Sequence, residues 1–290
     1  METPLVSVLL ASYNHEAYVE AAIRSILSQQ GVSFELIVID DGSTDQSPLI
    51  LESLSKKLGF QFITRPNQGF VSTMNELAKL ARGRYFCSFA SDDIMPAGRL
   101  MIQSTFMEEH PNVPVCFGQT MEMNASGTLE LNLDERFLKG VPEVTFEELF
   151  LGQKALHGCT EMIRRDLFFE VGGYDSRFFF EDFPLWLRLS YQYGPLPVLE
   201  NVFCYYRLHG NNMHLNHEKM YSELLRIIDL YSEHPLYKRA VWHCKSNWFS
   251  SLTYSNKMKA LQMFFKLASP SWMFLRRVPK LFIPRRFLKY

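Results

Sequence analysis

Two pairs of adjacent aspartates are the side chains best suited to chemistry in this 290-residue chain. Asp40 with Asp41, and Asp92 with Asp93, each follow a short apolar run directly. Neighbouring carboxylates repel one another, and a hard divalent ion such as Mg²⁺ or Mn²⁺ relieves this by binding carboxylates together with phosphate oxygens. The pairs therefore indicate a metal diphosphate site. The alternative is a solvated turn before a helix, where aspartate is favoured at the N-cap.

A basic side chain accompanies these acids. Arg65, in the polar segment 65–69, can offset part of the negative charge of the two acidic pairs if it lies at the same place. It can equally be a surface residue in a turn.

The elements that position these side chains are predicted to alternate between strand and helix. Each polar motif follows a predicted strand immediately, and a parallel sheet with helices on both faces binds ligands at the carboxyl ends of its strands. Ser43 or Thr44 is suited to be the N-cap of the helix after the second strand. The predicted strands are 5–11, 34–39, 60–64 and 85–89, and the predicted helices include 17–30 and 69–81.

Beyond residue 140 the alternation weakens. The sequence predicts a short acidic helix at 145–151, strands at 160–163 and 202–206, and a helix at 183–193. From about residue 213 the pattern is mainly helical and aromatic, with prolines that break it. We therefore predict a catalytic domain at 1–212 and a helical extension at 213–290.

Several ordered motifs resemble those of the family 2 glycosyltransferases, over roughly residues 5 to 210. They are the apolar run 6–14 ending in Ser12-Tyr13-Asn14, the segment 35–45 containing Asp40-Asp41-Gly42-Ser43, then Asn67-Gln68-Gly69 and Ala90-Ser91-Asp92-Asp93. The resemblance implies a GT-A fold, which is Rossmann-like with a mostly parallel sheet. It also implies a metal-dependent, hexosyltransferase-like enzyme that inverts the anomeric centre of a nucleoside diphosphate sugar, here a UDP-sugar.

The resemblance assigns donor-binding roles to residues at the strand ends. Ala11 and Tyr13 would line the base pocket, with the Tyr13 ring stacked on the base, and Asp41 would accept from the base or ribose. Asp92 would bind Mn²⁺ or Mg²⁺ and through it the diphosphate, and Ser91 belongs to the same donor site. The first aspartate of the family's Asp-x-Asp motif is replaced here by Ala90, which puts in question how the ribose side is held.

Three further assignments come from the second half of the catalytic domain. Asp182, preceded by Glu181 and an aromatic run, resembles the family's general base, and aromatic surroundings would raise its pKa toward neutrality. Arg207 and His209 resemble a segment in which the histidine approaches the metal and the arginine neutralises the leaving group. The loop with His157 would touch donor or acceptor. Without the resemblance, a helix-capping acid is the expected interpretation of Asp182 and a structural role that of His209.

Charge is distributed unevenly along the chain. Residues 1–214 hold 16 basic and 27 acidic side chains, whereas residues 215–290 hold 14 basic and 4 acidic ones. The segment 234–290 contains 12 basic residues, no acids and apolar clusters at 272–275 and 281–283. Such helices suit the surface of an anionic membrane. They equally suit a helical cap on the catalytic domain, and His214 and His217 are expected to be surface residues.

Composition and motifs limit the expected location of the protein and the alternative functions. The 5 cysteines form no Cys-x-x-Cys pair, and no signal peptide is recognised at the N-terminus, so we expect a cytoplasmic protein, with a peripheral position on the inner membrane face left open. No Gly-x-Gly-x-x-Gly follows a strand, which disfavours an NAD-dependent oxidoreductase, and a nucleic-acid partner is not expected. The alternatives are a sugar-phosphate nucleotidyltransferase, disfavoured because the first loop lacks glycine, and a non-catalytic module that binds nucleotide sugars. The expected partners are the donor and a glycan or lipid-linked acceptor, in cell-surface polysaccharide synthesis.

Overall fold

The computed structural model describes residues 3–129, 142–209 and 217–267. The chain divides into two compact units, one built from residues up to 149 together with 154–210, and the other from 150–153 together with residues from 211 onward. All the candidate site residues named above belong to the first unit.

Among the described residues, the first unit contains a sheet of eight strands. They are β1 (Val6–Ser12), β2 (Phe34–Asp40), β3 (Gln61–Thr64), β4 (Tyr85–Ala90), β5 (Val115–Met123), β6 (Glu143–Val144), β7 (Met162–Arg164) and β8 (Leu196–Arg207). Their order in the sheet is β3-β2-β1-β4-β7-β5-β8-β6. Only β7 and β6 run antiparallel to their neighbours. The mostly parallel sheet predicted from the sequence is confirmed.

The helices follow the predicted alternation for the first half of the chain. They are α1 (Val19–Leu27), α2 (Ser47–Leu58), α3 (Phe70–Leu80), α4 (Arg99–Glu109), α5 (Phe146–Phe150), α6 (Arg165–Glu170) and α7 (Asp182–Tyr193), with a 3₁₀ turn at Gly158–Thr160 before β7. The helices α4 and α6 and the strands β5 and β6 were not predicted from the sequence. Strand β8 is also longer than the predicted segment 202–206.

The core explains why the helices take both faces of the sheet. Val8 and Leu10 of β1 pack in one cluster with Ile23 of α1 and Leu51 of α2, all of them fully buried. Leu9 is also fully buried and, because side chains alternate along a strand, points to the other face. Helix α3 packs against β1 and β2 and lies outside that cluster. A strand that is apolar on both faces therefore marks the centre of a covered sheet.

The described part of the second unit is helical. It comprises α8 (His217–Asp229), α9 (Tyr237–Ser255) and α10 (Lys257–Leu267), and α9 packs against both of the others. Phe249, Leu252 and Ala260 form its small apolar centre, and Lys259 Nζ lies 2.6 Å from Glu218 Oε1. The helical character predicted for this region is confirmed.

Two features of the C-terminal region bear on the membrane hypothesis. Of the helices in the described segments, none combines the length and the apolar character that crossing a bilayer requires. The apolar clusters at 272–275 and 281–283 lie outside the described residues, as do His214 and the side chain of His217. The surface position predicted for these histidines therefore stays a prediction.

Candidate active site

The carboxyl ends of the central strands meet at one edge of the sheet. In the parallel register Ala11 of β1 is opposite Ala90 of β4, and Ser12 is opposite Asp40 of β2. Both acidic pairs therefore begin at the same level of the sheet. Strand β8 ends there too, because Tyr205 forms an isolated β-bridge with a residue of the loop after β4.

Hydrogen bonds join the loop after β1 to the loop after β2. Asn14 has a left-handed backbone conformation, with φ of 54°, which asparagine tolerates better than most residues. Its Oδ1 accepts a hydrogen bond of 2.8 Å from the N–H of Thr44. The N–H of His15 donates to Ser47 Oγ at 3.0 Å. These bonds fix the backbone from which Tyr13 and His15 project.

His15, Asp92 and His209 form a group that we call the histidine–aspartate cluster. His209 Nε2 lies 2.8 Å from Asp92 Oδ2, and His15 Nε2 lies 3.9 Å from the same oxygen. One ligand atom from each residue lies within 4.8 Å of the other two. The structure thus brings together the two residues predicted to bind metal and adds His15, for which no role was predicted.

Ser91 and Tyr18 orient the two imidazoles. Ser91 Oγ lies 2.7 Å from His15 Nδ1, so Nε2 is the nitrogen that faces Asp92. Burial lowers the pKa of His15; Asp92 opposes this shift and His209 adds to it. The neutral imidazole, which is the metal-binding form, is thereby favoured. The Tyr18 ring stacks on His209 with centroids 5.3 Å apart.

Arg207 holds the backbone of the loop that carries Asp92. Its side-chain Nε donates to the carbonyl oxygen of Asp92 at 2.7 Å, and its Nη1 donates to that of Ala125 at 2.9 Å. The backbone N–H of Arg207 donates to Asp93 Oδ1 at 2.8 Å. The guanidinium carbon lies 4.8 Å from the centre of the Tyr18 ring. In this geometry Arg207 positions the site, and its direct contact with a diphosphate stays a prediction.

Two of the four aspartates are satisfied within the protein. Asp40 accepts hydrogen bonds from the N–H of Ser43 at 2.9 Å and from its hydroxyl at 2.6 Å, so Ser43 closes a turn and is not the helix N-cap predicted. Asp93 accepts from the Cys204 thiol at 3.3 Å, and burial, followed by the charge of Asp92, raises the pKa of Asp93 to about 8. Asp40 and Asp93 therefore have partners within the protein, which leaves Asp41 and Asp92 as the members of the two pairs that a metal diphosphate would engage.

Asp41 is held at the start of α3. Its Oδ1 accepts from the Arg65 guanidinium and from the N–H of Gln68, the latter at 2.9 Å, and its Oδ2 accepts from the N–H of Gly69 at 3.0 Å. Arg65 also donates to Glu76 at 2.8 Å. A carboxylate has about four acceptor positions. One position thus remains on Asp41 for a donor group of a base or ribose.

Asp182 is the first residue of α7. Its Oδ1 accepts from the N–H of Phe183 at 2.6 Å, and a methyl group on Gly158 would lie 3.2 Å from its Oδ2. Glu181, at the N-cap position, makes no side-chain capping bond. Burial raises the pKa of Asp182 to about 6. A carboxylate with such a pKa is suited to accept a proton near neutral pH.

A buried glutamate, which the sequence did not single out, lies behind Asp182. Glu161 is fully buried; its Oε2 accepts from Trp186 Nε1 at 2.9 Å, and its Oε1 accepts from the hydroxyls of Ser88 and Tyr174. Burial raises the pKa of Glu161 to about 7. Because Trp186 is one turn along α7 from Asp182, Glu161 fixes the helix that carries the candidate base.

Asp93, the neighbour of Asp92 in sequence, and Asp182 border the same turn. Strand β7 is antiparallel to β4, so the 3₁₀ turn before β7 lies beside the carboxyl end of β4. Within this turn, Cys159 offers a ligand atom within 4.8 Å of one on Asp93, and Gly158 lies against Asp182. The cluster and the candidate base are thus at one edge of the sheet.

The remaining predicted site residues lie at the same edge. Ala11 is the last residue but one of β1 and is partly buried. Tyr13 is the first residue after β1 and is 48% exposed, so its ring is accessible for stacking on a planar base. His157 lies at the start of the 3₁₀ turn, with its ring 6.2 Å from that of Tyr206.

The donors of the histidine–aspartate cluster fit a divalent cation. Imidazole nitrogen and carboxylate oxygen bind such ions at about 2.1 Å, so two ligands on one ion lie roughly 3.0 Å apart at right angles and roughly 4.2 Å apart when opposite. The separations of 2.8 Å and 3.9 Å found here lie close to these two values. Small side-chain movements would suffice to admit an ion.

The fold and this edge of polar groups define an α/β protein of the GT-A class. TarS of S. aureus, solved in complex with UDP-GlcNAc, has a similar fold, with a TM-score of 0.68 at 20% identity, covering 94% of this chain and 81% of that one. The mannosyltransferase PcManGT from Pyrobaculum calidifontis, solved with GDP-Man and Mn²⁺, has a TM-score of 0.64 at 14% identity, covering 99% and 88%. Residues 7–172 match the model of Glycosyl transferase family 2, which is more than half of the chain, and the chain belongs to this family.

Curated relatives agree with this assignment. An uncharacterized glycosyltransferase of Rickettsia prowazekii is 26% identical over 229 residues, which are 77% of this chain and 70% of that protein. One of Rickettsia typhi is 28% identical over 204 residues, which are 68% of this chain and 63% of that protein. The chain thus spans about two thirds of the length of each relative. The resemblance drawn from the sequence motifs is confirmed at the level of the family.

Proposed function

We propose that this chain transfers a sugar from a UDP-sugar to a hydroxyl of a glycan or lipid-linked acceptor, with inversion at the anomeric carbon. The observation that carries the proposal is that the histidine–aspartate cluster and Asp182 lie at the same edge of the sheet. A site for a cation and an acid with a pKa of about 6 are what diphosphate departure and acceptor deprotonation require. The UDP-GlcNAc bound to TarS supports a uridine donor, and the GDP-Man and Mn²⁺ bound to PcManGT support a nucleotide sugar with a divalent ion.

The nucleoside would lie over the ends of β1 and β2. The exposed Tyr13 ring would stack on the base beside Ala11, and the open acceptor position of Asp41 would take a donor from base or ribose. Arg65 balances the charge of Asp41 and holds its carboxylate in place. These groups account for recognition of the nucleoside without the missing first aspartate of the family motif.

The diphosphate would lie at the histidine–aspartate cluster. Asp92 and His209 would hold Mn²⁺ or Mg²⁺, and the ion, when bound, would neutralise the departing diphosphate. Ser91 and Arg207 keep the cluster and its loop in position through the bonds described above. The chain's own contribution is thus to fix the ligands before the donor arrives.

Asp182 would act as the general base. The acceptor oxygen attacks the anomeric carbon from the side opposite the diphosphate, the bond from that carbon to the phosphate oxygen breaks, and the hydroxyl proton passes to the Asp182 carboxylate. One displacement of this kind inverts the anomeric centre. Gly158 lies against the carboxylate, which limits the positions it can adopt.

The experiment begins with a donor screen. Nucleotide sugars that raise the melting temperature in the presence of Mn²⁺ identify the donor by its binding to the folded state. Turnover of that donor is then compared between the native chain, Asp182→Asn and the control Asp166→Asn, an exposed aspartate of α6.

We expect Asp182→Asn to keep donor binding while transfer falls by about 10²- to 10⁴-fold, and Asp166→Asn to retain both. Retained turnover in Asp182→Asn would remove the base assignment. Donor binding without any turnover in the native chain, across acceptors, would favour the non-catalytic binding module. Release of pyrophosphate from a nucleoside triphosphate and a sugar phosphate would instead favour the nucleotidyltransferase.

The acceptor and the location are inferred from the second unit. Basic and aromatic helices suit a peripheral position on the cytoplasmic face of a membrane, where lipid-linked acceptors of cell-surface polysaccharide synthesis are found. Lys238 and Arg239 are exposed in the first turn of α9 and are available for such a surface.

A further inference from the structure

We propose that His15 is a third protein ligand of the cation, and that the cluster therefore prefers first-row transition-metal ions such as Mn²⁺ and Co²⁺ over Mg²⁺. The proposal rests on the proposed function for the purpose of the ion, which is to receive the donor diphosphate. It goes further in naming a ligand that the family resemblance did not assign and in ranking the ions that the resemblance left equal. His15 belongs to the loop after β1, whereas Asp92 and His209 come from the ends of β4 and β8.

The orientation of the His15 ring is that of a metal ligand. Metal-binding histidines characteristically use their second nitrogen in a hydrogen bond that fixes the ring and its tautomer. Here Ser91 Oγ engages His15 Nδ1 at 2.7 Å, which leaves Nε2 directed at the carboxylate of Asp92. Because the backbone N–H of His15 donates to Ser47 Oγ, both the backbone and the ring of His15 are restrained.

The distances distinguish His15 from a residue that merely fills space. Its Nε2 is 3.9 Å from Asp92 Oδ2, too long for a hydrogen bond and suitable for two ligands on one ion. His209 Nε2, at 2.8 Å, makes the direct bond that would open when the ion enters. Three protein ligands leave further coordination positions for phosphate oxygens and water.

The chemistry of the donor atoms sets the ion preference. Mg²⁺ favours oxygen ligands and keeps much of its water, whereas imidazole suits the later first-row ions, whose affinity for such sites rises from Mn²⁺ to Co²⁺. Two imidazoles with one carboxylate therefore favour Mn²⁺ and Co²⁺. With His209 as the sole imidazole, the site would discriminate less between these ions and Mg²⁺.

The test measures Mn²⁺ binding to the full chain in the absence of nucleotide, by calorimetry and by electron paramagnetic resonance. We expect His15→Gln to weaken Mn²⁺ binding on the order of tenfold or more and to reduce the preference for Mn²⁺ over Mg²⁺. The control His110→Gln removes an exposed histidine at the end of α4 and should leave both unchanged. Pulsed measurements on the native protein should detect two coordinated imidazole nitrogens.

The outcomes separate this proposal from the proposed function. Unchanged Mn²⁺ affinity in His15→Gln, or coupling to a single imidazole in the native protein, would overturn the role of His15 and leave glycosyl transfer intact. Weaker UDP binding with unchanged Mn²⁺ affinity would make His15 a contact of the nucleotide and would also overturn it. Two coordinated imidazoles in a protein that turns over no nucleotide sugar would support His15 and contradict the proposed function. The spectroscopic count needs no variant, so a poorly folded His15→Gln would not decide the matter.

Discussion

Asp182 is the side chain whose protonation state the proposed reaction uses. A general base is active when deprotonated, and burial raises the pKa of Asp182 to about 6. We therefore expect kcat at saturating Mn²⁺ to rise with pH through about 6 and then to level off, falling about tenfold per pH unit below it. Asp182→Glu should move this inflection. An inflection that stays in place in Asp182→Glu would mean that another group controls the rate.

Single residues also show what the sequence can and cannot reveal about a site. The acidic pair after a predicted strand pointed to Asp92, whereas His209 was identified only through the family resemblance, because its residue type and position alone favoured a structural role. His15 was not assigned, although it too follows a strand, because its role depends on the fold that brings the ends of β1, β4 and β8 together. Asp93 was grouped with the metal-binding acids, whereas its partners are the thiol of Cys204, 111 positions along the chain, and the backbone N–H of Arg207.

The elements around Glu161 lead to a prediction on stability. The pKa of Glu161 is about 7 in the folded protein, raised by burial from an ordinary value of 4.5. Between these values the folded protein holds a proton that the unfolded chain has released, so the free energy of unfolding falls as pH rises from about 4.5 to 7. Glu161→Gln lacks this titration.

We therefore expect the unfolding free energy of Glu161→Gln, relative to the native chain, to increase between pH 5 and pH 8, by up to about 3 kcal/mol. Denaturant titrations at both values measure it. Glu109→Gln, at an exposed site on α4, serves as the control and should show no such trend. A difference that is the same at both pH values would mean that Glu161 is ionised in the fold.

Helix α4 shows why some elements escaped prediction. Its inward face carries polar side chains, with Arg99 fully buried and donating to the carbonyl oxygens of Cys159 at 2.6 Å, Phe203 at 3.0 Å and Glu161 at 3.1 Å. A helix that buries charge has no apolar stripe to reveal it. The strands β1, β2 and β4 were predicted because a continuous apolar run indicates a buried strand without any knowledge of what packs against it. The helix start of α2 was misplaced because Ser43 bonds to Asp40 instead of to the helix.

At the scale of the whole chain, charge is the property with a testable consequence. Acidic side chains outnumber basic ones by 27 to 16 before residue 215, and basic ones outnumber acidic ones by 14 to 4 after it. We expect the full chain to co-sediment with vesicles that contain anionic lipid, weakly with neutral ones, and less as salt increases. Charge reversal at Lys238 and Arg239 should weaken binding by roughly tenfold or more, at about 1 kcal/mol per basic side chain.

The matched control for this experiment reverses two charges in the other unit. Lys56 and Lys57 are exposed on α2, and their replacement by glutamate changes the net charge equally. If both double variants bind vesicles alike, or if anionic lipid makes no difference, the membrane hypothesis for the basic helices is wrong.

The most direct test of the mechanism is the location of the ion and the donor in one structure. We would crystallise Asp182→Asn, which should bind but not consume the donor, with Mn²⁺ and the nucleotide sugar found in the screen, and locate Mn²⁺ by anomalous scattering. The result we expect is Mn²⁺ between Asp92 and His209, in contact with the diphosphate, with the anomeric carbon facing residue 182. Mn²⁺ away from the histidine–aspartate cluster, or a sugar turned away from residue 182, would contradict the account.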